Sequence, residues 1–318
     1  MTRRPLVLLA AWMAEEVRQQ LAGQFPECRF EDARDRAVLE RLLPEAEIVY
    51  GIPPAELLAK AEHLRWIQLP AAGVPWDLCD ALKDRNVIVT NLAGLYGPTI
   101  AEHALGLMLA VSRNFHVAFR QQSERTWQRD LSKTMRDLHG RTAAIVGVGN
   151  IGQNIARLCR CFGMRVVGCR RTTQMTPHVD QLYPCERVKE MVSEADYVVV
   201  AAPLTRQTRG MLGPAEFSAM KPGTIYVNVS RGAVAEEQAL LDALRSGHLF
   251  GAGLDVFAVE PLPPEHPLWT MPNVIITPHY SGETVNQSAQ PGHLFIRNLR
   301  RFLKNEEIGH RVNLEAGY

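Results

Sequence analysis

The stretch Ala143-Ala144-Ile145-Val146-Gly147-Val148-Gly149-Asn150-Ile151-Gly152 decides the reading of this chain. Four apolar residues predict a buried strand, the glycines follow as G-x-G-x-x-G, and a helical pattern over Ile151–Cys161 opens directly behind them. In such a turn the first glycine (Gly147) makes the tight bend. The second (Gly149) lets a pyrophosphate approach the backbone, and the third (Gly152) lets helix and strand pack closely. The helix start, with Asn150 and Ile151, adds unpaired N–H groups and the positive end of the helix dipole. A lone G-x-G-x-x-G is a weak signal. With a strand before it, a helix after it and a second strand at Arg165–Cys169, it reads as a dinucleotide cradle.

The end of that second strand bears on which dinucleotide. An NAD site commonly holds Asp or Glu about 20 residues past the loop, on the adenosine ribose. Here the run is Cys169-Arg170-Arg171-Thr172-Thr173, with no carboxylate before Asp180. Guanidinium forks and a hydroxyl suit a ribose 2′-phosphate, so Arg170, Arg171 and Thr172 point to NADP(H), with NAD(H) as the alternative.

Further outward, short apolar runs alternate with helical patterns along nearly the whole chain, the mark of parallel βαβ units. Strands are predicted at Leu6–Leu9, Glu47–Tyr50, Trp66–Leu69 and Val87–Thr90, then at Ala143–Val146, Arg165–Cys169, Tyr197–Ala201, Thr224–Asn228, Gly253–Val256 and Val274–Ile276. A long helix, apolar on most faces and so buried, is expected from Thr99 to about Ser123, and a last one over about Val285 to Lys304. The fold class is therefore α/β: two Rossmann-like or flavodoxin-like lobes with doubly wound parallel sheets, the cofactor lobe inserted into the substrate lobe. The expected boundaries are 1–100 for the first part of the substrate domain, 101–284 for the NAD(P)-binding domain and 285–318 for the returning C-terminal helix. Hinge crossings are expected near Thr99–Glu102 and Glu283–Ser288.

Composition agrees. A length of 318 residues suggests about two domains, and 46% hydrophobic with 22% charged residues is ordinary for globular chains. The net charge of +1 offers no basic field for nucleic acid. The apolar start after Arg4 imitates a signal peptide but reads better as a first strand. No stretch approaches the length of a membrane span. Six cysteines without paired short spacings fit a reducing compartment and predict no metal site. A soluble, cytoplasmic protein with no nucleic-acid or membrane partner is expected.

Three segments bring charged residues just past predicted strand ends, where open α/β sheets bind ligands. They are Val229-Ser230-Arg231-Gly232, Phe257-Ala-Val-Glu260-Pro261 and Thr277-Pro278-His279. Singly, each has an ordinary structural explanation: a helix cap, a proline-braced loop, a turn histidine. Together they form the set that reduction of a 2-keto acid requires. Hydride arriving at a carbonyl carbon leaves an alkoxide, for which His279 is the proton donor. Glu260 on the far ring nitrogen would fix the tautomer, and Arg231 would bind the substrate carboxylate and polarise the carbonyl.

These segments, with Ala71-Ala-Gly73-Val74, Ala101-Glu102-His103, Pro203-Leu204-Thr205, Thr208, Leu254-Asp255-Val-Phe257 and His266-Pro-Leu-Trp269, run in order over nearly the full length. On them the chain resembles the D-isomer-specific 2-hydroxyacid dehydrogenases, and among these the glyoxylate/hydroxypyruvate reductase-like members. The resemblance implies that Arg231, Glu260 and His279 are catalytic and that His279 and Asp255 border the nicotinamide. It implies that Pro203 and Thr208 line the cofactor site, and that amides around Ala72 and Gly73 bind the substrate with Arg231. It also implies a homodimer built through the inserted lobe. Two departures stand out: Pro75 replaces an Asp of many relatives, and Arg170 replaces the Asp of NAD-using ones. No C-terminal regulatory extension of the kind some 3-phosphoglycerate dehydrogenases carry is expected beyond Tyr318. The alternatives are dehydrogenation of another small anion, such as formate or phosphite, and a nucleotide-sensing scaffold or corepressor. Formate-oxidising relatives are expected to carry an Arg–Gln–His set, which this chain lacks.

Overall fold

Runs such as Leu6-Val-Leu-Leu and Tyr197-Val-Val-Val, buried on every residue, become parallel strands covered on both faces. The computed structural model describes residues 4–172, 174–285 and 287–317. Thr173, closing the expected ribose-phosphate run, and Asn286, in the expected second crossing, lie outside the described residues, as do Met1–Arg3 and Tyr318.

In chain order the first elements are β1 (Leu6–Leu9), α1 (Glu15–Gln24), β2 (Arg29–Asp32), α2 (Arg36–Leu42), β3 (Ile48–Tyr50), β4 (Trp66–Gln68), α3 (Trp76–Leu82) and β5 (Ile88–Thr90). Then come α4 (Gly97–Ser112), α5 (Phe115–Glu124), β6 (Thr142–Val146), α6 (Asn150–Cys161), β7 (Arg165–Cys169), β8 (Gln181–Tyr183) and α7 (Val188–Ser193). The chain continues through β9 (Tyr197–Val200), α8 (Pro214–Ala219), β10 (Thr224–Asn228), α9 (Glu237–Arg245), β11 (Leu249–Leu254), β12 (Val274–Ile276) and α10 (Gln290–Leu303). The chain divides into two units, one of residues 1–96 with 283–318, the other of 97–282. The divisions fall two to four residues before the boundaries expected from the sequence.

The discontinuous unit holds a five-stranded parallel sheet in the order β2-β1-β3-β4-β5. Helix α10 packs into it through Phe295 and Phe302, which stack on the fully buried Trp66, while Asn298 donates to the buried Gln68 at 2.9 Å. The segment after α10 then bonds along β5, Val312 N–H to the Val89 carbonyl at 2.8 Å, and so covers a sheet edge.

The continuous unit holds seven parallel strands in the order β12-β11-β10-β9-β6-β7-β8, the doubly wound order with its reversal beside β6. Helix α4 lies against β10 and β11, and glycines make the close approach possible. A Cβ on Gly253 would sit 2.7 Å from that of Leu107, and one on Gly251 would meet Val111 at 3.0 Å. Those glycines also hide the first half of β11, which begins at Leu249, four residues before the predicted start.

Three further differences have physical causes. The predicted helix over 99–123 is two helices, because Asn114 takes left-handed backbone (φ 53°) between Ser112 and Phe115. Only the first is buried; α5 buries no residue. Strands β2 (Arg-Phe-Glu-Asp) and β8 (Gln-Leu-Tyr) are sheet edges without an apolar run, so composition gave no signal. Among the described residues no helix is long and apolar enough to cross a membrane, and no group of His, Cys, Asp or Glu is arranged to hold a metal.

Candidate active site

Strand register lines the site residues up. Across the continuous unit's sheet, Tyr183, Cys169, Val146, Val200, Asn228, Leu254 and Ile276 stand side by side, each ending its strand. Every candidate of this unit follows one member of that row by a few residues. Arg170 and Gly147 follow by one, Pro203 and Arg231 by three, Asp255 by one, Glu260 by six and His279 by three.

At the centre of the row, the Gly147 and Val148 N–H groups both donate to the Cys169 carbonyl, at 3.2 and 3.0 Å, closing the turn after β6. Gly147 has φ 97°, and a Cβ there would press on the backbone of Ala202. A Cβ on Gly152 would overlap the Gly147 carbonyl. Gly149, by contrast, faces open space: nothing lies within 4 Å of the position its Cβ would take. Gly149 is the N-cap of α6, and Asn150 and Ile151 open the helix with N–H groups that have no intrahelical acceptor. The cradle thus has room on the side where a diphosphate would lie, and fits a dinucleotide.

Arg170 leaves β7 half-buried, its N–H directed at the Tyr183 carbonyl (3.4 Å), while Arg171 and Thr172 are exposed. Pro203 is exposed beyond β9. Thr208 folds back under it: its hydroxyl donates to the Pro203 carbonyl (2.6 Å) and accepts from the Thr205 N–H (2.7 Å). Thr208 therefore holds the shape of this loop.

The charged residues come together on the other half of the row. His279, at φ 53°, is held by its N–H on the Asp255 carbonyl (2.8 Å), and its Nδ1 lies 2.6 Å from Glu260 Oε2. The other Glu260 oxygen accepts the Phe257 N–H at 2.9 Å, which fixes the carboxylate to its own loop. With Nδ1 facing a carboxylate, the ring carries its hydrogen there and Nε2 is left for chemistry. Arg231 follows Asn228, whose side chain donates to the Arg231 carbonyl (3.1 Å) and accepts from Ser230 N–H (3.0 Å). Burial pushes the Arg231 guanidinium below its ordinary pKa, opposed by the charge of Glu260; arginine stays protonated all the same. One of its N–H groups is spent on the Ser230 carbonyl (2.6 Å), leaving most of the fork for a ligand. Gly232 lets the Arg231 loop lie against the Glu260 loop, since a Cβ there would overlap the backbone of Phe257 and Ala258.

Asp255, expected beside the nicotinamide, sits directly behind β11. It is fully buried, and its carboxylate accepts the Thr277 hydroxyl (2.6 Å) and the N–H groups of Tyr280 (3.2 Å) and Ser281 (3.1 Å). A carboxylate with these donors and no exposed surface braces the His279 loop from below. His103, on α4, completes the brace. Its Nε2 lies 3.0 Å from the Thr277 hydroxyl, burial lowers its pKa, and the ring of Tyr280 meets it edge-on. The sequence marked His103 only as part of a motif; a role under the site needed coordinates. Ala72 and Gly73 lie in the other unit, in the loop after β4, half-buried, with the Ala72 carbonyl taken by Asn91 Nδ2 (2.8 Å).

Comparison with known proteins shows the family. Residues 105–281 match the family model for the NAD binding domain of D-isomer specific 2-hydroxyacid dehydrogenases. The chain is 35% identical to a glyoxylate reductase of Korarchaeum cryptofilum, over 82% of this chain and 80% of that one. It is 32% identical to a D-3-phosphoglycerate dehydrogenase of Mycobacterium leprae over 98% of its own length, but spans only 60% of that relative. Among solved structures, an NADPH-dependent glyoxylate/hydroxypyruvate reductase from Sinorhizobium meliloti, in complex with NADP and sulfate, superposes with a TM-score of 0.85 at 26% identity, covering 99% of this chain and all of that one. The chain belongs to the D-isomer specific 2-hydroxyacid dehydrogenase family.

Proposed function

We propose that this protein reduces a small 2-keto acid, such as glyoxylate or hydroxypyruvate, to the D-2-hydroxy acid with NADPH. The observation that carries the reading is the 2.6 Å His279–Glu260 pair with Arg231 in the adjoining loop, on the same sheet edge as the Gly147–Gly152 cradle. When bound, the nicotinamide supplies the hydride. Arg231 binds the substrate carboxylate with its free N–H groups and polarises the carbonyl, an electrostatic effect strengthened by its burial. His279 holds its transferable proton on Nε2 and gives it to the oxygen that becomes the hydroxyl. Glu260 keeps the ring oriented through its contact with Nδ1.

Arg170 carries the preference for NADPH: it stands where a ribose-binding acid would serve NAD, and the Sinorhizobium meliloti relative is named NADPH-dependent. The reading also takes the protein as a homodimer. The exposed apolar side chains of α5, Phe115 and Phe119, and the almost wholly exposed Trp127 give a second copy a surface to cover.

The test is consumption of NADPH, and separately NADH, with glyoxylate, hydroxypyruvate, 3-phosphohydroxypyruvate and phenylpyruvate. Turnover of an unphosphorylated acid with NADPH preferred supports the proposal. Preference for 3-phosphohydroxypyruvate would move the substrate to that of the phosphoglycerate dehydrogenases, and no turnover at all would favour a nucleotide-sensing scaffold.

A further inference from the structure

In the discontinuous unit, the loop after β4 has two consecutive carbonyls tied down. The Ala71 carbonyl accepts the Leu92 N–H at 3.0 Å, and the Ala72 carbonyl accepts Asn91 Nδ2 at 2.8 Å. Asn91 and Leu92 directly follow β5, the neighbour of β4 in the sheet, so both carbonyls point to the same segment. Both peptides are trans. A trans peptide is planar with its C=O and N–H on opposite sides, so each tied carbonyl turns the next N–H the other way. The N–H groups of Ala72 and Gly73 therefore point away from that segment, and among the described residues neither has an acceptor. Two successive backbone amides turned to one side gather partial positive charge, the usual way a loop receives an anion.

The contacts of Asn91 settle which of its atoms faces Ala72. Its Oδ1 accepts the Ala93 N–H at 3.0 Å, closing a short turn, which leaves Nδ2 as the donor. The residue is 3% exposed, and its own N–H is spent on the His310 carbonyl at 3.1 Å. Its carbonyl lies 3.4 Å from Gln68 Nε2. Gln68 is fixed in turn: its Oε1 accepts the Thr90 hydroxyl and Asn298 Nδ2, each at 2.9 Å. Trp66 Nε1 donates to that hydroxyl at 2.8 Å. Gln68, Thr90, Asn91 and Asn298 are all buried, and a buried hydrogen-bonded network of this kind is rigid. It runs from α10 through β4 and β5 and ends on the Ala72 carbonyl.

We propose that Asn91 is a positioning residue for the substrate: it holds the Ala72–Gly73 peptide so that the Ala72 and Gly73 amides receive the carboxylate of the 2-keto acid. Asn91 acts through the peptide and does not touch the acid. This role rests on the reduction proposed above and deepens it by naming what sets the amides in place. An amide pair aimed in advance binds without the cost of ordering the loop. Without the Asn91 donor the peptide is free to turn, and a carbonyl oxygen turned outward repels a carboxylate.

The test uses the full chain with NADPH bound and oxamate, an unreactive carboxylate analogue of a 2-keto acid, as the probe. In Asn91→Ser the hydroxyl can still accept the Ala93 N–H but is too short to reach Ala72. The oxamate Kd and the KM for the preferred 2-keto acid should rise about 10-fold, the scale of one hydrogen bond to a charged group. Because the carboxylate is held alike before and during hydride transfer, kcat should change by less than about 3-fold. The NADPH Kd and the melting temperature should stay close to the parent's. A merely structural Asn91 would instead lower the melting temperature and the active fraction, and so kcat, without moving KM. Amide NMR of the unmutated protein needs no variant: the Ala72 and Gly73 N–H signals should move when oxamate is added. Signals that stay in place while oxamate binds, or an Asn91→Ser protein with the parent's oxamate Kd, would overturn this role and leave the reductase standing. A parent protein that neither binds oxamate nor reduces any 2-keto acid would overturn the reductase, and this role with it.

Discussion

The cradle before α6 makes a prediction that separates folding from binding. Gly147 and Gly149 are two residues apart, yet a methyl group meets opposite surroundings at each. At Gly147 it would overlap the Ala202 Cα and lie 2.5 Å from the Ala202 nitrogen and 2.8 Å from the Ala202 Cβ, where ordinary contact starts at 3.4 Å, so the two turns must part by about 1 Å. Overpacking of this kind costs about 1–3 kcal/mol, and the φ of 97° adds strain of about 1–3 kcal/mol for any residue but glycine. Gly147→Ala should therefore lose about 2–6 kcal/mol of stability. At Gly149 the methyl meets nothing of the protein within 4 Å. The remaining cost is that of alanine as an N-cap, about 1 kcal/mol or less, so its melting temperature should fall by no more than about 4 °C. The same methyl would stand where the phosphates approach the helix N–H groups. Losing one or two charge-assisted hydrogen bonds costs about 2–4 kcal/mol, which weakens NADPH binding roughly 30- to 700-fold. Thermal melts and calorimetric titration with NADPH read the two effects separately. A Gly149→Ala protein that binds NADPH as the parent does, or that melts as low as Gly147→Ala, would refute the assignment of this loop.

Two other perturbations test separate parts of the account. Arg170→Asp should raise the Kd for NADPH relative to NADH by at least about 30-fold, since a guanidinium is lost and a repelling carboxylate gained at a 2′-phosphate; titrations that leave the ratio unchanged would remove Arg170 from cofactor choice. Tyr183→Phe addresses stability. Burial alone would raise the Glu194 pKa, but hydrogen bonds from Tyr183 (2.5 Å) and Arg165 (2.6 Å) outweigh it and hold it below the ordinary carboxylate range. Stabilisation from a depressed carboxylate is complete above its unfolded value of about 4.3 and is lost as pH falls through the folded value. The variant should be about 0.5–1 kcal/mol less stable in urea at pH 7, with the gap closing below about pH 4. A gap independent of pH would mean that Glu194 is not the partner that matters.

The site was more legible in the sequence than the fold around it. Gly147–Gly152, Arg231, Glu260 and His279 each follow a strand made largely of apolar residues, and a parallel sheet must bring such strand ends to one edge. What escaped has local causes. β2 and β8 are short polar edges, Asn114 breaks a helix that hydrophobic pattern alone would continue, and Gly251 with Gly253 disguises a strand as a turn. The burial of Asp255 under the Thr277–Ser281 loop arises from tertiary packing that no spacing encodes.

The central claim is that His279, oriented by Glu260, moves the proton. It is tested most directly by measuring turnover of the preferred 2-keto acid by His279→Ala alongside its affinity for NADPH. The account predicts a loss of about 10²–10⁴-fold in kcat with the NADPH Kd changed by less than about 3-fold. Near-normal turnover by that variant would contradict it.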